Sequence, residues 1–297
     1  VGLVLFAGMY SFIQFLIPGG VFSRDLNAPV ASNTPTERVG GDEGGSETPK
    51  AIDKIVHLHS SGRFDRSVSQ WRKDLQKFKQ KYTPSVITLT ETASNRSRVI
   101  SWKGWSHTNG ETSVAWDTAV WKKTNSEIQE LAPNTPSRLP SKVSIVILQD
   151  RTTKTKWLWA VTHVPASVDG GNGVFRVHDD KNSDEFIRSQ VTKWKAVMRH
   201  LPTIIAASLK KYNIKRQNSI ITADWNVNVA QSGWRQKMKT YFPNYKLSNP
   251  RGSAPTHGDR TIDASLVANE VTASNWRGLG VIPSSDHNPF VVEYKIP

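Results

Sequence analysis

The chain contains no cysteine among its 297 residues, which excludes disulfides, thiolate metal sites and a cysteine nucleophile. A domain of this length buries enough apolar surface to need no covalent staple, so the absence does not fix a redox compartment. Acidic residues are scarce, 25 Asp and Glu against 39 Lys and Arg. Residues 1–49 hold two of the basic side chains and five of the acidic ones, so the remainder carries a formal charge of +17. That surplus suits a polyanionic partner: nucleic acid first, through counterion release, and an anionic membrane surface second. No Gly-Lys-Ser/Thr follows the glycine-rich run Asp169-Gly170-Gly171-Asn172-Gly173, which excludes a phosphate-cradling loop of that type and leaves a mobile loop or a plain connection. There is no internal repeat.

Val1 to Ile17 is almost wholly apolar, with Gln14 its one strongly polar side chain and no Lys or Arg. As a helix it spans about 25 Å at ~1.5 Å per residue, just short of a bilayer core. A signal peptide or short signal-anchor is expected, with the folded part secreted or membrane-anchored outside the cytoplasm. Residues 18–50 are rich in Gly, Pro, Ser, Thr, Asn and acidic groups without an apolar period, the composition of a flexible linker. Residues 51–297 then form the folded domain, in which the eleven Trp of the chain supply large, rigid packing groups.

Ile52 to Leu58 alternates as an opening strand. Val68, Trp71, Leu75 and Phe78 predict an amphipathic helix from Ser67 to Tyr82, closed by Thr83-Pro84. Strands are predicted at residues 86–90, 113–122, 143–149 and 157–163, with a turn at Asn134-Thr135-Pro136-Ser137. A long helical stretch from Ser183 to Tyr212, broken or kinked at Pro202, precedes strands near 219–223, 261–267 and 289–295. Strands in two runs separated by helices predict two packed sheets with helices outside.

Five apolar segments border a residue able to bind metal or phosphate. Val86-Ile87-Thr88-Leu89-Thr90 ends on Glu91, and Trp157-Leu158-Trp159-Ala160-Val161-Thr162 on His163. Ile220-Ile221-Thr222-Ala223 ends on Asp224-Trp225-Asn226, Asp263 follows Arg260-Thr261-Ile262, and Asp286-His287 precedes Asn288-Pro289-Phe290. Each alone is ordinary, because Asp and Asn close turns and a lone His is more often structural than catalytic. Together, Glu, His, Asp-x-Asn, Asp and Asp-His at strand ends of one domain present metal ligands and proton-transfer groups at a sheet rim.

These segments resemble the motifs of the endonuclease/exonuclease/phosphatase superfamily, the DNase I-like fold. Thr90-Glu91 is similar to its Gln-Glu strand, with Thr in the Gln place; Thr162-His163 to its Thr-His; and Ala223-Asp224-Trp225-Asn226 to its Gly-Asp-Phe-Asn. Arg260-Thr261-Ile262-Asp263 is similar to its Arg-Ile-Asp-Tyr with one residue inserted, and Ser285-Asp286-His287-Asn288-Pro289 to its Ser-Asp-His-x-Pro. The resemblance covers about residues 52–297. It implies an α/β fold, a four-layer α/β/β/α sandwich, and a divalent-metal-dependent hydrolase of phosphate esters. A nuclease acting on DNA or RNA leads; a phospholipid phosphatase or phosphodiesterase, and a catalytically silent nucleic-acid-binding domain, are the alternatives.

The resemblance also implies roles. Glu91, with Asp286 and His59, would hold Mg2+ or Mn2+. Asp224 would orient or deprotonate the attacking water, with Asn226 fixing its geometry and binding a phosphate oxygen. His287, oriented by Asp263, would donate to the phosphate, and His163 would contact the same phosphate or assist the leaving group. Apart from the resemblance, Arg96 is a substrate-binding candidate by its place just after Glu91, since an exposed Arg near a site can bind phosphate. His59 stands where the family places a metal-binding Asn, and an imidazole is a softer ligand that suits magnesium less well than a carboxamide oxygen. Arg98, Thr256 and His257 are further candidates, Trp225 is expected in the core, and Trp102 to Trp105 is the place for a lipid-inserting hairpin. His57, His107, His178 and His200 read as structural or surface residues, and no protein partner is implied.

Overall fold

Two six-stranded sheets arise because successive side chains of a strand point to opposite faces, so the near-continuously buried inner strands carry two faces that must each be covered. The computed structural model describes residues 53–62, 67–92, 99–132 and 141–295. The apolar segment 1–17, the linker 18–50, Arg96, Arg98 and the turn at 134–137 lie outside these residues. One sheet contains β1 (Lys54–Ser61), β2 (Val86–Thr90), β3 (Trp105–His107), β4 (Ser113–Asp117), β11 (Thr272–Gly278) and β12 (Phe290–Lys295), in the order β11-β12-β1-β2-β4-β3. The other contains β5 (Trp121–Ala132), β6 (Ser141–Asp150), β7 (Lys156–His163), β8 (Ser219–Asp224), β9 (Tyr245–Leu247) and β10 (Asp263–Ala268), in the order β5-β6-β7-β8-β10-β9. Each sheet holds one parallel pair, β1/β2 and β7/β8, joined through α1 (Val68–Tyr82) and α2 (Asp184–Tyr212) respectively. α3 (Ser232–Tyr241) follows β8.

Three apolar layers result. Trp71 and Leu75 of α1 pack with Leu58, Ile87 and Leu89 on the outside of the first sheet. Trp194, Val197, Met198 and Leu201 of α2, with Trp234 and Met238 of α3, pack with Ile145, Ile147, Leu158 and Ala160 on the outside of the second. Between the sheets lie Ile55, Val86, Trp121, Val146, Trp157, Trp159, Val161, Ile220, Val267, Phe290 and Tyr294. This is the expected four-layer α/β/β/α sandwich. α2 begins where Ser183 Oγ accepts the Phe186 N–H at 3.2 Å, with Asp184 and Glu185 in its first turn and Lys210 and Lys211 in its last, the order the helix dipole favours.

The expected strand at 113–122 is instead the passage between sheets: β4 stops at Asp117, whose Oδ1 accepts the Ala119 N–H at 2.9 Å, and β5 starts at Trp121 in the other sheet. α2 is not broken at Pro202 but runs through it, since the packed stripe on either side outweighs one lost backbone bond. Trp102 and Trp105 are half-buried against the outer layer of the first sheet, edge to face at 5.6 Å with Lys79 Nζ over both rings, so they do not form a protruding lipid-inserting hairpin. Among the described residues no helix is long and apolar enough to cross a membrane.

Along the face between the sheets, five strands change from apolar to polar toward one end: Ile55, His57, His59, Ser61 on β1; Val86, Thr88, Thr90 on β2; Trp159, Val161, His163 on β7; Ile220, Thr222, Asp224 on β8; Val267, Ser265, Asp263 on β10. His57 marks the transition. It is fully buried between Trp159, Phe290 and Tyr294, and burial, with His59 nearby, holds its imidazolium form well below the usual histidine range. The unfolded chain therefore binds this proton first, so stability is present above about pH 6.5 and lost as pH falls below it. Groups with raised values act the other way, so the His57 contribution is read as a difference: with urea midpoints measured from pH 7.5 to 4.5 in chelator, the wild type should lose stability relative to His57→Gln below about pH 6.5, and a gap between the two that stays constant with pH would refute the assignment.

Candidate active site

Strand register assembles the polar end. On the parallel pair β7/β8, His163 sits opposite Asp224; on the antiparallel pair β8/β10, Asp263 also sits opposite Asp224. Three adjacent strands of one sheet thus offer an imidazole and two carboxylates. The other sheet adds Glu91, one residue past β2, and the segment before β12 adds His287. Glu91 and Asn226 both have left-handed backbone, with φ of 57° and 52°, a conformation costing non-glycine residues of order 1–3 kcal/mol and concentrated at functional sites.

The groups meet closely. His163 Nε2 lies 3.5 Å from Asp224 Oδ2 and 3.8 Å from Glu91 Oε1, while its Nδ1 is 3.1 Å from Glu111 Oε1. His287 Nδ1 donates to Asp263 Oδ2 at 2.7 Å, and its Nε2 lies 3.9 Å from Asp224 Oδ2. Asp224 and Asp263 are almost completely buried. Potential ligand atoms of Glu91, His163 and Asp224 lie within 4.8 Å of one another, as do those of Asp224, Asp263 and His287. Asn226 donates its backbone N–H to Asp224 Oδ1 and one amide N–H to the Val164 carbonyl, both at 2.9 Å.

The electrostatics are sharply divided. Burial opposes charge on His163, but the hydrogen bond to Glu111 and the fields of Asp224 and Glu91 outweigh it and raise its pKa to about 9. His287 follows the same logic: Asp263, then Asp224 and Glu91, overcome burial and raise it to about 10. Asp263 is buried too, yet His287 and His59 hold its carboxyl well below the usual carboxylate range. Asp224 moves upward, through burial and the neighbouring Asp263 charge. Burial also raises Glu91.

The expected site residues fall into three groups. Glu91, His163, Asp224, Asn226, Asp263 and His287 converge. Asp286 stands at the rim, its exposed carboxylate 3.7 Å from His257 Nε2 and within the field felt by Glu91. His59 departs from the expected ligand role: it is buried, with Nδ1 2.9 Å from Thr88 Oγ1 and Nε2 3.3 Å from Asp263 Oδ1, so both ring nitrogens are engaged inside the protein. Arg96 lies outside the described residues. Trp225 is wholly buried, its indole N–H donating to the Ala264 carbonyl at 3.0 Å, as expected of a core residue.

Other contributors surround them. Thr256 Oγ1 accepts the N–H groups of Ile262 and Asp263, both at 2.9 Å, which aims the start of β10. Ser61 Oγ donates to Asp263 Oδ1 at 3.1 Å. The glycine-rich loop is fastened down: the Asp169 carboxylate accepts from Gly171 N, Asn228 N and Trp234 Nε1, and Asn172 Oδ1 accepts the Gly233 N–H. A Cβ on Gly233 would stand 1.9 Å from the Asn172 carbonyl oxygen, so that approach requires glycine. Sequence reasoning missed Glu111 and Asp169. Glu111 follows Gly110 in a turn, with no strand end to draw attention to it; Asp169 opens a run whose most visible feature is its glycines.

Glu111→Gln removes a hydrogen-bonded carboxylate from His163. In the metal-free protein the His163 ring should then titrate clearly below about 9, read by nitrogen-15 NMR, while His287 keeps its value; an unmoved His163 would break the assignment.

The sequence matches no family profile and no curated protein, but its fold has many solved counterparts. An endonuclease/exonuclease/phosphatase from Bacteroides vulgatus superposes with a TM-score of 0.59 at 16% identity, over 82% of this chain and 99% of that one. A mannosyl-6-phosphatase from Bacteroides thetaiotaomicron gives 0.55 at 11% identity, over 82% and 100%. TDP2 of D. rerio, complexed with a single-stranded DNA product, gives 0.54 at 13% identity, over 82% and 100%. These likenesses cover most of the chain, which therefore has the DNase I-like fold that these structures share.

Proposed function

We propose that this protein is a divalent-metal-dependent phosphoesterase that hydrolyses phosphodiester bonds of nucleic acid. One observation carries the reading: Glu91, Asp224 and Asp263 gather with His163 and His287 at a single rim of the sandwich. The residues fit a hard cation. The donor set is led by carboxylate oxygens, which suit magnesium or manganese, and burial makes a bare Glu91 anion costly. Glu91 would hold the metal with Asp286 on the same rim; His59, with both nitrogens engaged, is left out of this set. A bound divalent cation supplies charge neutralisation on the phosphoryl oxygens.

The chain's own groups supply the rest. Asp224, its pKa raised by burial and by Asp263, orients the attacking water and takes its proton. Asn226 fixes the Asp224 carboxylate through its backbone N–H and has a second amide hydrogen for a phosphate oxygen. His287, cationic through Asp263, donates from Nε2 to a phosphoryl oxygen, and His163, cationic through Glu111, Asp224 and Glu91, donates to the same phosphate or to the leaving oxygen. No covalent intermediate is needed. The structural neighbours include a sugar phosphatase and a protein that holds a DNA product; the charge of +17 on residues 50–297 favours the polyanion. The apolar residues 1–17 add to this proposal delivery outside the cytoplasm, secreted or membrane-anchored.

The protein should nick supercoiled plasmid, or shorten linear single-stranded DNA, with magnesium or manganese and not with chelator. Asp224→Ala combined with His287→Ala should lower the rate by at least ~10²–10⁴-fold. Intact plasmid and single strand under every metal would overturn the nuclease reading, and hydrolysis of a phospholipid panel by the same preparation would replace it.

A further inference from the structure

Behind the site runs a line of buried hydrogen bonds that catalysis as described does not use. Tyr294 Oη is 3.1 Å from His57 Nδ1; His57 Nε2 is 2.7 Å from Thr88 Oγ1; Thr88 Oγ1 is 2.9 Å from His59 Nδ1; and His59 Nε2 is 3.3 Å from Asp263 Oδ1. The other oxygen of Asp263 takes the Nδ1–H of His287 at 2.7 Å. Every member of the line is buried. Register builds it: His59 pairs with Thr88 across the parallel strands and with Phe290 across the antiparallel ones, and His57 and His59 project from one face of β1. Aromatic walls hold the rings, His57 against Trp159 and Tyr294, His59 tilted on Phe290 with centroids 5.2 Å apart.

The carboxylate at the end sets the direction. Asp263 can only accept, so His59 Nε2 must carry a hydrogen. The order that places no further charge in this interior leaves His59 Nδ1 bare, to accept from the Thr88 hydroxyl. Thr88 then accepts from His57 Nε2–H, and His57 Nδ1 accepts from the Tyr294 hydroxyl. Each hydrogen bond has one donor and one acceptor, with none left over.

We infer that this chain of hydroxyls and imidazoles, Tyr294 to His57 to Thr88 to His59, fixes Asp263 from behind, and that His59 is a positioning residue for the Asp263–His287 pair rather than a metal ligand. Asp263 Oδ1 is pinned by His59 Nε2–H and Ser61 Oγ–H, so Oδ2 faces His287 in one orientation. The hydrogen-bond order stands on geometry alone; its effect on turnover rests on the phosphoesterase reading.

The test separates the two. Nitrogen-15 NMR of the histidine rings in the full chain should show His59 with a protonated Nε2 and a bare Nδ1, and magnesium should leave that tautomer in place, because ligation through Nε2 would strip its proton. Thr88→Val removes the hydroxyl at near-constant volume and should shift both His59 and His287 ring resonances; Thr88→Ser should restore them. If the protein hydrolyses phosphate esters, Thr88→Val should lower kcat about tenfold, with KM and the half-saturating magnesium concentration unchanged, and Thr88→Ser should recover the loss. A protonated His59 Nδ1, loss of the Nε2 proton on adding magnesium, or His287 resonances indifferent to Thr88→Val would overturn the inference. The NMR arm decides it even for a protein without activity, and in one whose Thr88→Val variant does not fold, the wild-type tautomer decides it.

Discussion

Two carboxylates, Asp224 and Asp263, face each other on paired strands and are almost wholly buried. Isolated charges in such a place are prohibitively costly, so the surrounding structure is organised around answering them. His287 reaches between the two, His163 approaches Asp224 from the next strand, and His59 and Ser61 come from the opposite sheet to Asp263. The responses differ: Asp263, hydrogen-bonded by His287, His59 and Ser61, is stabilised as an anion, whereas Asp224 is left with a raised pKa. Two chemically identical side chains therefore acquire unlike properties, one a fixed counter-ion and the other a group ready to take a proton.

That division depends on the two sheets meeting differently at their two ends. At one end tryptophans and aliphatics fill the gap; toward the other, each of five strands replaces them with hydroxyls, imidazoles and carboxylates. The apolar end holds the sheets at fixed separation, and the polar end uses that separation to keep hydrogen bonds between them within reach. His57 sits on the boundary and belongs to both, packed among aromatic rings yet bonded through both nitrogens.

Much of this was legible because buried strands have short, strongly patterned sequences. β2, β7, β8 and β12 came out within a residue of their expected limits, and the polar residue bordering each is a site residue or leads directly to one. What stayed hidden depends on partners distant in sequence. Glu111 is an unremarkable turn residue until folding sets it against His163, 52 positions away. His59 occupies a position where resemblance suggested a ligand, and only the packing of Thr88 and Asp263 around it shows both nitrogens engaged. β3 and β9, three residues each, are too short to carry a period. The strand expected at 113–122 failed because two adjacent strands of different sheets share one β-rich stretch, and composition does not mark the turn at Asp117.

The fastening of the glycine-rich loop has an evolutionary implication. Asp169 ties the loop to Asn228 and Trp234, and Asn172 ties it to the start of α3. The outer part, from Val174 to Val177, leaves both valines largely exposed. The segment bearing Asn226 is thus insulated from whatever happens further out. Between the two valines Phe175 packs against Trp194 and Trp234, so this stretch is free to vary only at its two exposed valines, and exchanges there could change the outer surface in descendants while the proton-handling groups keep their places.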